Sequence, residues 1–445
     1  MKLQIPDAAR QIINALTQNG FEAYVVGGCV RDALLGITPH DWDICTNASP
    51  RQMQRCFAGW ETIEIGIQHG TIAVVMGKEV YEVTAYRVDG TYSDNRHPDT
   101  VRFTSELSED LARRDFTVNA MAYSDSNGLI DLYGGAQDLR DGIIRCVGDP
   151  DKRFNEDALR ILRALRFASR FGFAIEPKTS DSIRQNARLL NNIAAERIRE
   201  EFSGILTGQS AEVVLNEYRD VIAVFIPEIK PCFDFDQCTK HHCYDVYRHI
   251  THSVGQITPT GLLRTVMFFH DIGKPQVMTQ DADGTRHFKG HQLVSADIAH
   301  DVLRRLRCPN AFIDDCVKLI IYHDVRFSGS KKLVKRVMNA IGADNMPFLF
   351  EVMTADYLSQ SDYNRDQKRD AVETAKVQYA EIIADHECFS LKELKINGKD
   401  LIGIGITDGK KIGATLNALL NEVIDETLPN EKNALLQRAG QINIL

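Results

Sequence analysis

Gly27-Gly28-Cys29-Val30-Arg31-Asp32, then Leu34-Leu35-Gly36, then Asp41-Trp42-Asp43, is the stretch on which the reading of this chain turns. It follows Tyr24-Val25-Val26, a short run expected to form a strand. Two glycines directly after a strand let backbone N–H groups approach a ligand with no Cβ in the way, which suits a triphosphate. Arg31 can neutralise phosphate oxygens by forked hydrogen bonds. In a strand, residues i and i+2 face one side, so Asp41 and Asp43 would present two carboxylates together. Paired hard oxygen ligands suit Mg²⁺, and two metals about 3.5–4 Å apart suit in-line phosphoryl displacement. Taken singly, the glycines read as a turn and the aspartates as a solvated strand. Their order and closeness make the combination specific.

Around this stretch, Ala8–Asn19 has helical apolar spacing and stops at Gly20. Thr71–Met76 and Val80–Ala85 read as strands joined by a Gly77-Lys78 turn. The polar segment Arg87–Thr100 reads as a long mobile loop. Residues 1–148 therefore form a small α+β domain in this reading. From Phe154 onward the pattern is helical, with breakers at Gly208, Pro227, Pro231 and Pro259.

With 445 residues the chain has room for two to four domains, and 44% hydrophobic content can build real cores. No run of 18 apolar residues exists, so no membrane-spanning helix is expected. Met1–Arg10 lacks the basic and apolar regions of a secretory signal. Ten cysteines without a CxxC pair read as reduced thiols of a cytoplasmic protein. Cys232, Cys238, His241, His242 and Cys243 could be drawn as a zinc site, but the paired short spacings are missing. The net charge of −9 argues mildly against a nucleic-acid partner. Yet Arg140, Arg145, Lys152, Arg153, Arg160, Arg163, Arg166 and Arg170 crowd one short segment, and RNA binding needs only a local positive field.

G-G-x-V-R-D-x-L-L-G followed by D-x-D resembles the class II nucleotidyltransferases of the DNA polymerase β superfamily. The resemblance continues in Arg113-Arg114-Asp115-Phe116-Thr117-Val118-Asn119-Ala120 and in Arg153-Phe154-Asn155-Glu156-Asp157 through Arg160 and Leu162-Arg163-Ala164 to Arg166-Phe167-Ala168. It implies a polymerase β-like head at 1–148, an all-α, base-selecting neck at 149–225, an HD-type helical body at 226–380 and a tRNA-binding tail at 381–445. Members of this family add CCA to tRNA 3′ ends, add only part of it, or polyadenylate RNA. The implied roles are Asp41 and Asp43 as catalytic Mg²⁺ ligands, with Gly28, Arg31, Arg114, Asp157, Arg160, Arg163 and Arg166 binding the nucleotide. Glu82 is a candidate third carboxylate. Tyr92, Asp94, Arg96 and Pro98 look like the intact loop of full CCA-adding members. The partners implied are tRNA, CTP and ATP, with no membrane and no obligatory protein partner.

The chemistry of the third motif agrees. Asp157 can accept from an exocyclic amino group while Arg160 donates to the neighbouring ring nitrogen. Cytosine and adenine offer that pattern; guanine and uracil reverse it, and mismatched groups stay unpaired. In a helix the row 157, 160, 163, 166 drifts by about 60° per step, so Asp157, Arg160 and Arg163 can share a face while Arg166 lies roughly opposite Asp157, toward a neighbouring segment or the RNA.

His270-Asp271-Ile272-Gly273-Lys274 resembles the HD phosphohydrolases, with His249, His291, His323 and Asp356 as companions. Imidazole with carboxylate suits a divalent transition metal such as Mn, Ni, Fe or Zn, hence a second metal site. A metal-dependent phosphohydrolase is accordingly the alternative from another class; poly(A) polymerase and partial CC- or A-addition are alternatives within the family.

Overall fold

Val25 and Val26 are fully covered because their strand lies inside a seven-stranded sheet. The computed structural model describes residues 3–66, 70–90 and 100–442; the loop positions Tyr92, Asp94, Arg96 and Pro98 lie outside them. In chain order the strands are β1 (Ala23–Val26), β2 (Ile44–Thr46), β3 (Thr62–Gly66), β4 (Thr71–Met76), β5 (Glu79–Ala85), β6 (Arg87–Asp89), β7 (Val101–Phe103), β8 (Met121–Ser124) and β9 (Gly128–Asp131). The sheet runs β3-β4-β5-β2-β1-β8-β9. Every pairing is antiparallel except β2 with β5, whose parallel register sets Ile44 beside Val83 and Thr46 beside Ala85.

The first helix (Asp7–Gln18) and the β4–β5 hairpin fall within a residue of their expected places. Two expectations need correction. β2 starts at Ile44, so Asp41 and Asp43 lie in the irregular lead-in rather than in a strand. The Arg87–Thr100 segment is not loop throughout: β6 pairs with β7, Arg87 opposite Phe103 and Asp89 opposite Val101. The alternation of Arg87-Val88-Asp89 and Val101-Arg102-Phe103 is too short to register as a strand until the two runs meet.

The chain divides into two compact units, Met1–Pro227 and Glu228–Leu445. In the first, helices Pro150–Glu156, Leu159–Phe171 and Ala195–Leu206 follow the sheet. Leu162, Leu165 and Ser169 form the buried stripe of the middle helix. The turn after the third helix comes so close that a Cβ on Gly208 would sit 2.1 Å from Ser169 Oγ, a hydroxyl that donates to Ile205 O at 2.6 Å. The second unit is helical apart from the short ladder Thr279–Gln280 with Arg286–His287. Its last three helices close a separate apolar cluster around Leu401, Leu419, Leu420, Ile424 and Leu435. Mixed sheet first and helices after make the chain α+β. Among the described residues no helix is long and apolar enough to cross a membrane.

Candidate functional site

The turn after β1 is built on Gly27. Its φ of +83° lies in the left-handed region, and a Cβ there would stand 2.8 Å from Arg114 Nη1. Gly27 is thus required twice over, by conformation and by the arginine packed on it. Gly28 opens the helix Gly28–Leu34 with an ordinary φ, and a Cβ on it would meet only Arg31 Nη2 at 3.5 Å.

Beside this turn, Val26 N–H donates to Asp43 O at 3.0 Å, which fixes the lead-in to β2 against β1. The Asp43 carboxyl keeps an edge open to solvent. Burial nevertheless raises it to about 6; Asp41 and Glu82 add to the rise and Arg114 opposes it. Glu82 precedes Val83, the partner of Ile44, so it flanks Asp43 on the exposed face of β5. The three carboxylates repel one another, and hard oxygen donors held against repulsion fit a divalent cation such as Mg²⁺. Among the described residues they do not close to within 4.8 Å as a set, so the arrangement is an open one.

Arg114 supplies the opposite charge. Its Nη2 faces Asp110 Oδ2 at 3.4 Å, while its Nε is buried with no hydrogen-bond partner. An orphaned guanidinium donor above a glycine turn fits an anion. Arg31 is placed differently from expectation. It is buried between the Phe167 and Phe171 rings, at 5.1 and 5.0 Å, and bonded to Asp32 Oδ1 at 2.7 Å and Asn119 Oδ1 at 2.5 Å. Its fork is already filled by the protein.

The helix expected to read the base also needs correction. Asp157 is not in it: its backbone (φ −136°, ψ 103°) separates Pro150–Glu156 from Leu159–Phe171. The Asp157 carboxylate caps the second helix through Leu159 N–H at 3.1 Å and accepts from Arg197 Nη2 at 3.1 Å. Side chain-to-backbone bonding of this kind competes with continued helix. Arg160 donates to Glu156 Oε2 at 2.9 Å and to Arg113 O at 2.9 Å. Arg163 reaches Asp115 Oδ2 at 2.9 Å, and Arg166 reaches Glu201 Oε2 at 2.6 Å on a neighbouring helix. Burial would raise Asp115, but Arg163, Asn119 and Arg160 bring it down to about 2. Arg145 pairs with Asp138 at 3.1 Å and Arg153 with Glu156 at 2.6 Å, so much of the crowded positive segment is neutralised. Asp115 and Asn119 stand inside a motif already singled out, but no local spacing announces Asp110, Arg197 or Glu201.

In the second unit the structure brings together all six residues expected to form a metal site. His249, His270, His291 and His323 turn their Nδ1 atoms to the carbonyls of Ser359, Met267, Phe288 and Ile320, at 2.7–3.2 Å. Neutral rings held this way carry a lone pair at Nε2. All four Nε2 atoms converge on carboxylates: His249 lies 3.1 Å from Asp271 Oδ2 and 3.0 Å from Asp356 Oδ1, and His291 lies 3.1 Å from Asp271 Oδ1. Asp271 thus divides the cluster, His249, His270 and Asp356 on one side, His291 and His323 on the other. Acceptors face acceptors, an arrangement that calls for cations between them. Lys274 Nζ lies 2.6 Å from Asp271 Oδ2 at the base of a cavity of about 1290 Å³ that also displays Lys240, Arg326 and Lys368. Among the described residues no cysteine joins this cluster, and all ten cysteines are free thiols.

Residues 23–145 match the family described as "Poly A polymerase head domain", 172–233 "Probable RNA and SrmB- binding site of polymerase A", and 291–439 "tRNA nucleotidyltransferase domain 2 putative". The chain is 32% identical to the CCA-adding enzyme of Ligilactobacillus salivarius, over 98% of each chain. It is 34% identical to that of Enterococcus faecalis, over 97% of this chain and 95% of the relative. A crystal structure of the Bacillus stearothermophilus CCA-adding enzyme in complex with CTP covers 99% of this chain and 98% of its own, with a TM-score of 0.73 and 28% identity. The Thermotoga maritima CCA-adding enzyme complexed with tRNA shares the fold, with a TM-score of 0.59 at 22% identity. Likeness carried from end to end of both chains settles the kinship: this chain belongs to the CCA-adding enzyme family.

Proposed function

We propose that the protein adds CCA to tRNA 3′ ends from CTP and ATP, in the cytoplasm and without a nucleic-acid template. The observation that carries this reading is the Gly27 turn, where an Arg114 donor without a partner stands opposite the carboxylates of Asp41, Asp43 and Glu82. Anion-seeking and cation-seeking groups side by side suit a metal–nucleoside triphosphate. Asp41 and Asp43 would hold Mg²⁺, which when bound supplies charge neutralisation at the phosphate undergoing substitution. Arg114 and the backbone amide of Gly28 hold the triphosphate, the Gly27 N–H being donated to Met121 O at 3.1 Å. The tRNA 3′-oxygen forms the new bond to the α-phosphorus, and the bond to the β-phosphate oxygen breaks to release pyrophosphate. Asp157 and Arg160 would read the Watson–Crick edge, and Arg197 and Glu156, their present partners, would orient them. Arg31 acts from beneath, bracing Asn119, and Arg163 and Arg166 brace the same helix through Asp115 and Glu201.

A tRNA lacking its terminal CCA tests this with labelled nucleotides. Two C are expected from CTP alone, and one A more when ATP is added. Arrest at CC with both present, a long A tract, or equal use of UTP would contradict it.

The second unit supports a further reading. Four imidazoles locked with Nε2 toward Asp271 and Asp356 fit one or two divalent transition metals in an HD-type centre. Such a metal, when bound, supplies Lewis acidity for phosphoester hydrolysis, and Lys274, Lys240, Arg326 and Lys368 line the same cavity to hold an anionic substrate. Metal content of the purified protein, with p-nitrophenyl phosphate as hydrolysis probe, checks this. Stoichiometric metal in wild type and none in Asp271→Ala is expected; equal content in both would refute the centre.

A further inference from the structure

Asp110 is 1% exposed, in the short helix Leu107–Ala112, and belongs to neither set of metal ligands. Its Oδ1 accepts from Arg113 Nε at 2.9 Å and Nη2 at 2.8 Å. Its Oδ2 faces Arg114 Nη2 at 3.4 Å, and the backbone N–H of Arg87, where β6 begins, donates to the same carboxylate. Burial alone would raise this carboxyl; Arg113, Arg114 and the Arg87 N–H together hold it below the usual range. One ionised group therefore ties the two arginines at the end of its own helix to the start of β6.

The two arginine ties lead to different parts of the proposed nucleotide site. Arg114 packs on Gly27 at the distance a Cβ would forbid, and its charge bears on Asp43. The carbonyl of Arg113 accepts from Arg160 Nη2 at 2.9 Å, so the place of Arg113 fixes the place of the base-reading arginine. Arg113 Nη1 also faces Asp89 Oδ2 at 3.8 Å, a second link to the β6–β7 ladder.

We infer that Asp110 is a positioning residue for nucleotidyl transfer, which sets the phosphate-side Arg114 and the base-side Arg160 in one register. The inference rests on the nucleotidyl-transfer reading above. Asp110 touches no substrate; it acts through the two arginines. Removing its charge takes from Arg113 the carboxylate that its fork grips and from Arg114 an acidic neighbour, and both ends of the nucleotide lose their positioned partners together. Rate and base choice then fail as a pair. A residue that only held the fold would reduce the fraction of active molecules and leave the preference of the remainder unchanged.

The test compares full-length wild type, Asp110→Asn and Arg113→Lys. Asparagine keeps the size and one acceptor oxygen; lysine keeps the charge and the Arg113 carbonyl but loses the fork. For Asp110→Asn, kcat should fall at least about 10-fold and UTP use relative to CTP should rise about 10-fold, the scale set by small misplacements in an active site. Arg113→Lys should lie between this and wild type on both measures. Active-site titration and thermal melting report folded, active enzyme separately. Either kcat and the UTP-to-CTP ratio within twofold of wild type, or a lower active fraction with an unchanged ratio, overturns the inference. Should Asp110→Asn melt below the assay temperature, an unchanged ratio in Arg113→Lys overturns it equally. Failure of wild type itself to add nucleotides would instead defeat the nucleotidyl-transfer reading.

Discussion

The two candidate sites are assembled in opposite ways. In the first unit Asp41, Asp43 and Glu82 form an open set, while Arg31, Arg160, Arg163 and Arg166 are each paired with acids of the same unit. In the second, six ligands scattered over more than a hundred residues draw together, with all four Nδ1 atoms anchored on carbonyls. On the reading proposed above, the head site would be completed by a large, charged substrate, its cations being held by internal acids. On the same reading the histidine cluster would need only small cations to be complete. The contrast predicts that the head depends on substrate and the cluster on metal.

The largest effect expected is loss of nucleotide addition, by about 1000-fold or more, in Asp41→Ala or Asp43→Ala, read as single-turnover CMP incorporation. Metal bound by the second unit should not change; if it falls in parallel, the two sites are not independent. Next comes Asp271→Ala, which leaves four inward-facing imidazoles without their shared carboxylate and should lower metal content by at least about 10-fold. Elemental analysis measures this, and metal content equal to that of wild type would refute the centre. Gly27→Ala is third. It forces a side chain into the left-handed region and against Arg114, and a loss of about 10-fold in kcat/KM for CTP is expected. Full activity would mean that the Arg114 packing is incidental.

The smallest effect is on stability against pH. Asp115 is held at about 2, below its ordinary value of 3.8, by Arg163, Asn119 and Arg160 acting against burial. Its contribution, about 2 kcal/mol, is present above the unfolded pKa and is lost as pH falls through that value toward 2. Urea unfolding of wild type and Asp115→Asn between pH 6 and 3 measures it. The difference between the two should shrink as pH falls; a difference that stays constant would assign the stabilisation to packing.

The sequence made the head legible because its motifs are local. Val25-Val26 running into Gly27-Gly28 predicts both the strand and the turn, and the β4–β5 hairpin follows from alternation around Gly77. What stayed hidden depends on partners far along the chain. Pairing of β6 with β7 brings together two three-residue runs, neither of which is periodic enough to read alone. The break at Asp157 depends on its own side chain capping Leu159 and on Arg197, forty positions away, holding the other oxygen. The arginine run looked like an electrostatic surface because Asp115, Glu156 and Glu201 are not apparent as its partners until the helices pack. In the second unit the six residues that come together were readable, but the division of the cluster by Asp271 was not. That depends on which way each imidazole is turned, a matter settled by four backbone carbonyls.

The separation of the two sites is tested most directly by sequencing the 3′ ends of a CCA-less tRNA after incubation with CTP and ATP. Wild type, Asp41→Ala and Asp271→Ala are compared side by side. The account predicts ends reading CCA for wild type and for Asp271→Ala, and unextended ends for Asp41→Ala. Unextended ends with Asp271→Ala and CCA ends with Asp41→Ala would contradict it.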